Sequence, residues 1–294
     1  MIRIATRLTL ACVLALAGII VWSALWASPR VRLYHPPLDR IVLPADPDAL
    51  ARGGHLVAAV AVCTVCHGEN LAGKLAFKDD FLGQGYTANL TAGRGGVGAH
   101  YTDSDWVRAI RYGVRPDSTG ILFMPSDYFS AITDADLGAM IAFLKVLPPV
   151  DNERTHVEIN LLPRLLIDTG VLGGMVRAAM IDMTAPRRPP PADPGAYLVK
   201  LGGCTFCHGA DLRGGQGPEP GAPAGQDLTV SGPMAAWSQA DFIATMRSGV
   251  TPDQHTIAGK YMPWMGYRGM TDGELASIWS YLRLLDTPEG RKPA

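Results

Sequence analysis

Apolar positions along the chain form one long uncharged run and several amphipathic stretches. The run occupies residues 8–27, and twenty helical residues span about 30 Å, the thickness of the hydrocarbon core of a bilayer. Thr133 and Thr271 each precede a stretch with apolar residues at helical spacing and an acidic residue three positions on. No segment alternates apolar and polar residues with a period of two. The pattern predicts an all-α protein with a transmembrane helix within residues 1–28.

Two interpretations of the N-terminal run are open. Arg3 and Arg7 precede it, and the run is longer than the roughly 7–15 apolar residues of a cleaved signal peptide. A cleavage site before Ser28 would place the bulky Leu25 where a small residue is usual. We expect an uncleaved anchor rather than a cleaved signal peptide, and either one would send the rest of the chain across the membrane.

The composition is that of a globular protein rather than of a disordered chain. The 294 residues are 48% hydrophobic and 18% charged, and this length suggests about two domains. The net charge of −1 offers no general attraction to nucleic acid, so no nucleic-acid partner is expected. Five cysteines are too few for a small fold held by disulfides, while 33 glycines and 23 prolines predict long loops.

Four of the five cysteines fall in two identical Cys-x-x-Cys-His arrangements. These are Cys63, Cys66 and His67 in the first half of the chain and Cys204, Cys207 and His208 in the second. Thiols at positions i and i+3 face the same side of a helical turn, where they can form thioethers with the two vinyl groups of one haem. The adjacent histidine then reaches the iron. The arrangements predict two covalently bound haem c groups.

Redox-active thiols, a zinc site and disulfides each account for these cysteines less well than haem attachment does. A redox-active cysteine pair needs a βαβ context, which neither motif has. A zinc site built from the four cysteines leaves the histidine after each pair without a role. Disulfides between such close neighbours would be strained. The fifth cysteine, Cys12, lies in the apolar run and is interpreted as a packing residue.

The two halves of the chain repeat one another beyond these motifs. An offset of 141, the step from Cys63 to Cys204, aligns residues 54–73 on 195–214 without a gap, and offsets of 136 and 138 align later segments. The repeat predicts two copies of one domain. We place a linker at 29–46, the first domain at 47–150, an interdomain linker at 151–192 and the second domain at 193–294.

Within each copy, a helix is predicted to begin at the proline of Asp46-Pro47 or Asp193-Pro194, and a short one near 103–112 or 239–248. In the interdomain linker, glycines and charges disfavour a second membrane span at 161–183. That segment is interpreted either as a helix packed between the domains or as a docking surface for a membrane partner. The proline-rich stretch after it, residues 185–192, is predicted to be a stiff spacer.

The repeat also selects the sixth ligand of each iron among eleven methionines. Met124 and Met262 each precede a proline and follow their histidine by a similar distance, 57 (124 − 67) and 54 (262 − 208) residues. A thioether sulfur is a soft ligand that stabilises ferrous iron. Met265 competes locally with Met262, but its counterpart in the first copy is Asp127, so it is discounted. The predicted metal ligands are thus His67, Met124, His208 and Met262.

Arg111 and Arg247 occupy the same place in both copies. A guanidinium there could pair with a haem propionate, because its fork matches a carboxylate, and we include both arginines among the candidate cofactor-binding residues. The alternative is a solvated charge on a helix face.

Two segments carry a resemblance to a known family. They are TANLTAGRGGVGAHYTDSDWVRAIRYGVRPD at 87–117 and MPSDYFSAITDADLGAMIAFLKVLPPV at 124–150. The chain resembles the membrane-bound cytochrome c subunits that accompany alcohol and gluconate dehydrogenases. The resemblance implies the fold, the covalent haem and its ligands. Such subunits usually carry three haem domains and a C-terminal anchor, whereas two domains and an N-terminal anchor are predicted here.

These observations together predict a membrane-anchored dihaem cytochrome c with no catalytic residues of its own. It would transfer single electrons between redox partner proteins of a respiratory or photosynthetic chain, as a free carrier or as a subunit of a membrane complex. Haem attachment of this type implies haem domains on the periplasmic side of the cytoplasmic membrane. The main alternative is a dihaem peroxidase with one open haem, which the methionine in each copy disfavours. A gas or redox sensor is a second alternative.

Overall fold

A computed structural model of the chain describes residues 2–22, 32–37, 39–184, 192–217 and 221–285, with side chains from residue 7 onward. The described part is built from helices that occur in the same order in both halves of the chain, with short strands between them.

The N-terminal helix α1 spans Ile2–Trp22. Among the described residues, no helix is both long and apolar enough to cross a membrane. The predicted transmembrane helix, and with it a single-pass location in the cytoplasmic membrane with periplasmic domains, is therefore wrong. Of the predicted span, residues 23–27 lie outside the described residues.

The helices of the first half surround a buried apolar centre. They are α2 (Pro47–His55), α3 (Cys63–His67), α4 (Asp103–Tyr112), α5 (Ser126–Phe129) and α6 (Asp134–Lys145), with a π-helical turn at Leu56–Val60 and a 3-10 turn at Val97–Ala99. As predicted, α2 begins at a proline, and the side chain of Asp46 caps it by accepting a hydrogen bond from Ala49 N at 2.9 Å. Thr133 caps α6 in the same way through Asp136 N.

The second half contains the corresponding helices. They are α8 (Pro194–Leu201), α9 (Thr205–His208), α10 (Gln239–Ser248), α11 (Trp264–Tyr267) and α12 (Asp272–Leu284), with a 3-10 turn at Pro233–Ala236. Asp193 caps α8 through the backbone N–H groups of Gly195 and Ala196, and Thr271 forms a capping box with Glu274 at the start of α12. The predicted short helices and capping residues are confirmed in both halves.

The prediction of an all-α fold is wrong, because the described part of the chain contains five short strands. β1 (Leu75–Asp79), β2 (Gly83–Tyr86) and β3 (Val157–Ile159) form an antiparallel sheet in that order, and β4 (Arg213–Gly215) pairs with β5 (Gly225–Asp227). These strands have three to five residues, and β2, β4 and β5 contain glycine, so no alternation of apolar residues marks them. A Cβ on Gly85 would lie 2.4 Å from the Phe77 ring, so a larger residue at this position would require that ring to move.

The linker between the halves packs partly on the first half. It contains α7 (Leu161–Asp168) and 3-10 turns at Gly173–Met175 and Arg177–Met180. Ile167 and Val176 are fully buried, whereas Leu161 and Leu162 are exposed. The predicted proline-rich spacer at 185–191 lies outside the described residues.

The two halves meet through a polar cluster around the first turns of α6 and α12. Arg52 bridges both: its Nε lies 3.2 Å from Asp136, and its Nη1 lies 2.9 Å from Glu274. Tyr197 donates its hydroxyl hydrogen bond to Asp136 at 2.8 Å, and His55 lies 2.7 Å from Glu274. Asp136 and Glu274 hold the same position in their helices, so each half contributes the start of its last helix to this cluster.

In both halves a glycine permits the close crossing of the first and last helices. A Cβ on Gly53 would lie 2.0 Å from the Ala139 carbonyl oxygen in α6, and one on Gly195 would lie 2.1 Å from the Ser277 carbonyl oxygen in α12.

We expect the substitution Gly53→Ala to lower the free energy of unfolding by about 2–3 kcal/mol, the usual range for overpacking. Helix propensity alone would make alanine more favourable than glycine by up to about 1 kcal/mol. A net decrease in the free energy of unfolding would therefore come from the steric conflict. Denaturant unfolding of the full chain measures the change. Gly174→Ala is the matched control, because its Cβ would meet no atom within 4 Å. Equal midpoints for the two variants would contradict the close crossing.

Candidate functional site

Each Cys-x-x-Cys-His arrangement forms one helical turn bounded by left-handed residues. In the first, Val62 has φ 42° and Gly68 φ 81° on either side of α3. In the second, Gly203 has φ 64° and Gly209 φ 83° around α9. One turn of helix places its two cysteines on the same face. Val62 is a β-branched residue in a conformation that favours glycine, a strain typical of functional sites.

The cysteines of the two motifs are only partly covered: Cys66 is exposed, whereas Cys63, Cys204 and Cys207 are half-buried. Burial raises the pKa of Cys63 and of Cys204 to about 12, and it raises the pKa of Cys66 and Cys207 as well. A redox-active pair has a lowered thiol pKa, so the raised pKa values disfavour that alternative. Within the described parts of the chain, no three metal-binding side chains of the types His, Cys, Asp and Glu lie close enough together to hold a metal ion.

Both histidines are oriented by a backbone carbonyl group. The Nδ1 atom of His67 lies 2.8 Å from the Ala88 oxygen, and that of His208 lies 2.8 Å from the Gln226 oxygen. A carbonyl oxygen only accepts hydrogen bonds, so Nδ1 carries the proton and Nε2 keeps its lone pair. Burial lowers the pKa of both histidines, which favours the neutral imidazole. A neutral ring held through Nδ1 is the usual arrangement of a histidine that ligates a metal through Nε2.

The two predicted methionine ligands lie in matching turns. Ser126 N donates to the Met124 oxygen at 2.9 Å, and Trp264 N donates to the Met262 oxygen at 2.7 Å. The prolines between them have φ −81°, ψ 53° and φ −78°, ψ 50°, so each turn is an inverse γ-turn.

Burial separates these methionines from their local competitor. Met124 and Met262 are partly buried against the hydrophobic core, as are Cys63 and Cys204. Met265 is 56% exposed. Ligation of iron by Met124 and Met262 stays a prediction, and the core packing of both side chains supports it.

Arg111 and Arg247 make corresponding contacts, which connect α4 and α10 to the helices that follow them. Arg111 donates to Asp39 and Asp134, both at 2.8 Å, and is almost fully buried. Arg247 donates to the Arg268 carbonyl oxygen and to Asp272, the latter at 2.6 Å. These groups join helices, and the expected propionate contact stays a prediction.

Each half also contacts the attachment motif of the other half. A Cβ on Gly266 in α11 would lie 2.7 Å from Val62, and a Cβ on Gly203 would lie 3.4 Å from the ring of Tyr128 in α5. Offsets of 138 and 141 relate Tyr128 to Gly266 and Val62 to Gly203, so the two contacts correspond. The short helix after each predicted methionine ligand therefore packs on the other motif.

Tyr267 lies between the two motifs. Its hydroxyl group donates to the Gly202 oxygen at 2.6 Å. Burial raises its pKa, and the sulfur atoms of Cys204, Cys207 and Cys66 add to this effect. The two sites are consequently neighbours in the folded chain.

Several residues of the site were not predicted from the sequence. Ala88 and Gln226 act through backbone oxygens, which no side-chain pattern reveals. Asp39, the buried partner of Arg111, lies in a segment with no counterpart in the repeat. The approach of Gly266 to Val62 and that of Gly203 to Tyr128 are recognised as equivalent only when the offsets of the sequence repeat are applied to the folded chain.

Comparison with known proteins identifies a cytochrome c domain in the second half. Residues 192–286 match the family model described as "Cytochrome c". This comparison finds a single domain of this kind, where the sequence predicted two in tandem. The match includes the second attachment motif, Met262 and α12, so covalent haem c is the cofactor of this domain.

The relatives extend the similarity into the first half. The "Alcohol dehydrogenase (quinone), cytochrome c subunit" of Gluconacetobacter polyoxogenes is 29% identical over 271 residues, which cover 82% of this chain and 57% of the relative. The "Fructose dehydrogenase cytochrome subunit" of Gluconobacter japonicus is 26% identical over 78% of this chain and 51% of the relative. The "Gluconate 2-dehydrogenase cytochrome c subunit" of Pantoea cypripedii is 31% identical over 55% of this chain and 38% of the relative.

The chain thus spans about half the length of the relatives that it matches. The resemblance to cytochrome c subunits of alcohol and gluconate dehydrogenases is confirmed, and each of these relatives is by name a cytochrome subunit of a dehydrogenase.

Proposed function

We propose that this chain is the electron-transfer subunit of a dehydrogenase complex and carries two haem c groups, one in each half. The observation that carries the proposal is the duplicated histidine geometry, in which each Nδ1 is hydrogen-bonded to a backbone oxygen at 2.8 Å next to a Cys-x-x-Cys pair on one helical turn. The family model covers the second half only, so the first haem rests on this shared geometry.

The residues present fit a covalently held haem. Cys63 and Cys66 would hold one group through thioethers, and Cys204 and Cys207 the other, since two cysteines on one helical face can reach the two vinyl groups of one haem. His67 and His208 would each present Nε2 to an iron. Met124 and Met262 would supply the sixth ligand from matching γ-turns.

A haem with two protein ligands supplies an iron that takes up and releases one electron without binding substrate. The chain would contribute an oriented histidine and a soft thioether sulfur to each iron, which together favour reversible electron transfer. The dehydrogenase relatives suggest that the electron donor is a catalytic subunit, and the acceptor is a second redox protein.

Haem content per chain tests the proposal. The protein, produced in a bacterial host with haem-attachment machinery, should show two c-type haems per chain in a pyridine haemochrome assay. The double variants Cys63→Ala/Cys66→Ala and Cys204→Ala/Cys207→Ala should each retain one, because each removes one pair of thioethers. Cys12→Ser is the control and should retain both. One haem in the unmodified chain, lost only on changing Cys204 and Cys207, would contradict a haem in the first half.

A further inference from the structure

Arg177 contacts both candidate sites. Its Nη1 atom lies 3.4 Å from Oδ2 of Asp127, which follows Met124 by three residues. Its guanidinium carbon lies 5.5 Å from the centre of the Phe206 ring, one residue before Cys207. The two side chains of the ion pair are only 19% and 16% exposed. A cation is therefore held largely out of water between the methionine loop of the first site and the attachment motif of the second.

The backbone on either side of Arg177 is fixed against the loop that carries Met124. Phe123 N donates to the Met175 oxygen at 2.8 Å, and both Val176 and Ala178 are buried. The position of Arg177 thus depends on the packing of the linker and not only on its own flexible side chain.

This contact distinguishes two sites that otherwise match. An offset of 138 places Met265 opposite Asp127, and an offset of 141 places Val65 opposite Phe206. Met265 is uncharged and 56% exposed. The second half therefore lacks the residues for an equivalent ion pair at this position.

We propose that Arg177 is a positioning residue that ties the two sites together and raises the reduction potential of the second site relative to the first. The proposal rests on the proposed function. A cation held out of water favours the state with one more electron on a nearby centre. The face of Phe206 attracts the guanidinium toward the second motif, while the carboxylate of Asp127 offsets its charge on the side of the first.

Redox titration of the holoprotein tests this role. In Arg177→Gln, the equilibrium constant for electron transfer from the first site to the second should fall at least threefold. This corresponds to a decrease of about 28 mV in the difference between the two reduction potentials, at 59 mV per tenfold change. Asp127→Asn should shift the second-site potential in the opposite direction, upward, because the cation is no longer offset. Arg177→Lys keeps the charge, so this equilibrium constant should stay within twofold of that of the unmodified protein. The second-site transition is identified by its displacement in Met262→His.

Two comparisons separate charge from packing. Arg164→Gln, on the same linker and half exposed beside Asp168, is the control and should leave both potentials unchanged. Equal shifts in Arg177→Gln and Arg177→Lys, shifts of the same sign in Arg177→Gln and Asp127→Asn, or no shift in Arg177→Gln would each overturn the proposal. A chain that binds no haem in the pyridine haemochrome assay would overturn the proposed function instead.

Discussion

Replacing Met262 with histidine should lower the reduction potential of the second site on the order of 0.2 V, a part of the roughly 0.8 V range that axial ligands set. The physical reason is the softness of the ligand. A thioether sulfur stabilises ferrous iron, whereas an imidazole nitrogen stabilises the ferric state better. Met124→His should lower the first site in the same way. Potentiometric titration, followed through the reduced c-type absorption bands, measures both transitions.

The local competitor supplies the control for this experiment. Met265→His changes the same residue type three positions further on, but Met265 is 56% exposed, whereas Met262 packs against the core. Its potentials should stay unchanged, and the Met-to-iron charge-transfer band of the ferric protein should persist. If Met265→His lowered the second potential and Met262→His did not, the ligand assignment would be wrong.

Removing the guanidinium of Arg111 should lower the free energy of unfolding by about 3–5 kcal/mol, the typical loss when one partner of a buried ion pair is removed. Arg111 and Asp39 have side chains only 7% and 8% exposed, and Tyr112 donates a further hydrogen bond to the same carboxylate at 2.7 Å. Arg111→Leu would leave that carboxylate buried without its cation. Denaturant unfolding of the holoprotein measures the loss.

The repeat offers a matched control for this variant. Arg247 makes the corresponding ion pair, but its side chain is 34% exposed and that of Asp272 is 77% exposed. Exposed pairs contribute about 0–1 kcal/mol, so Arg247→Leu should cost far less than Arg111→Leu. Equal losses from the two variants would show that burial of the first pair does not decide its contribution. A shifted potential in Arg247→Leu would support the propionate contact expected from the sequence.

The errors of the sequence-based prediction have physical causes. The strands were missed because Gly83, Gly85 and their partners pair through backbone groups and bury little apolar surface, so hydrophobic periodicity carries no trace of them. The transmembrane helix was expected from the length of an uncharged run. Among the residues that the structure describes, no helix combines the length and the apolar character needed to cross a membrane.

The sequence by itself determined the attachment motifs, the repeat and the capping of the main helices. Each of these depends on residue types at short or regular spacing: Cys63, Cys66 and His67 define one turn, and Thr133 or Thr271 defines where a helix begins. Such spacing is a property of the sequence and does not depend on how distant segments fold, so these features can be recognised without the structure.

Only the tertiary structure decided which groups act across long separations. The Ala88 and Gln226 oxygens orient the histidines, Asp39 is paired with Arg111 across 72 residues, and Arg177 joins the two sites. Backbone oxygens have no side-chain signature, and the partner of a charge depends on which surfaces pack together. The contacts of the histidines and of Arg111 form within one half, whereas those of Arg177 connect the two sites. All of them depend on how the chain packs rather than on the spacing of residues along it.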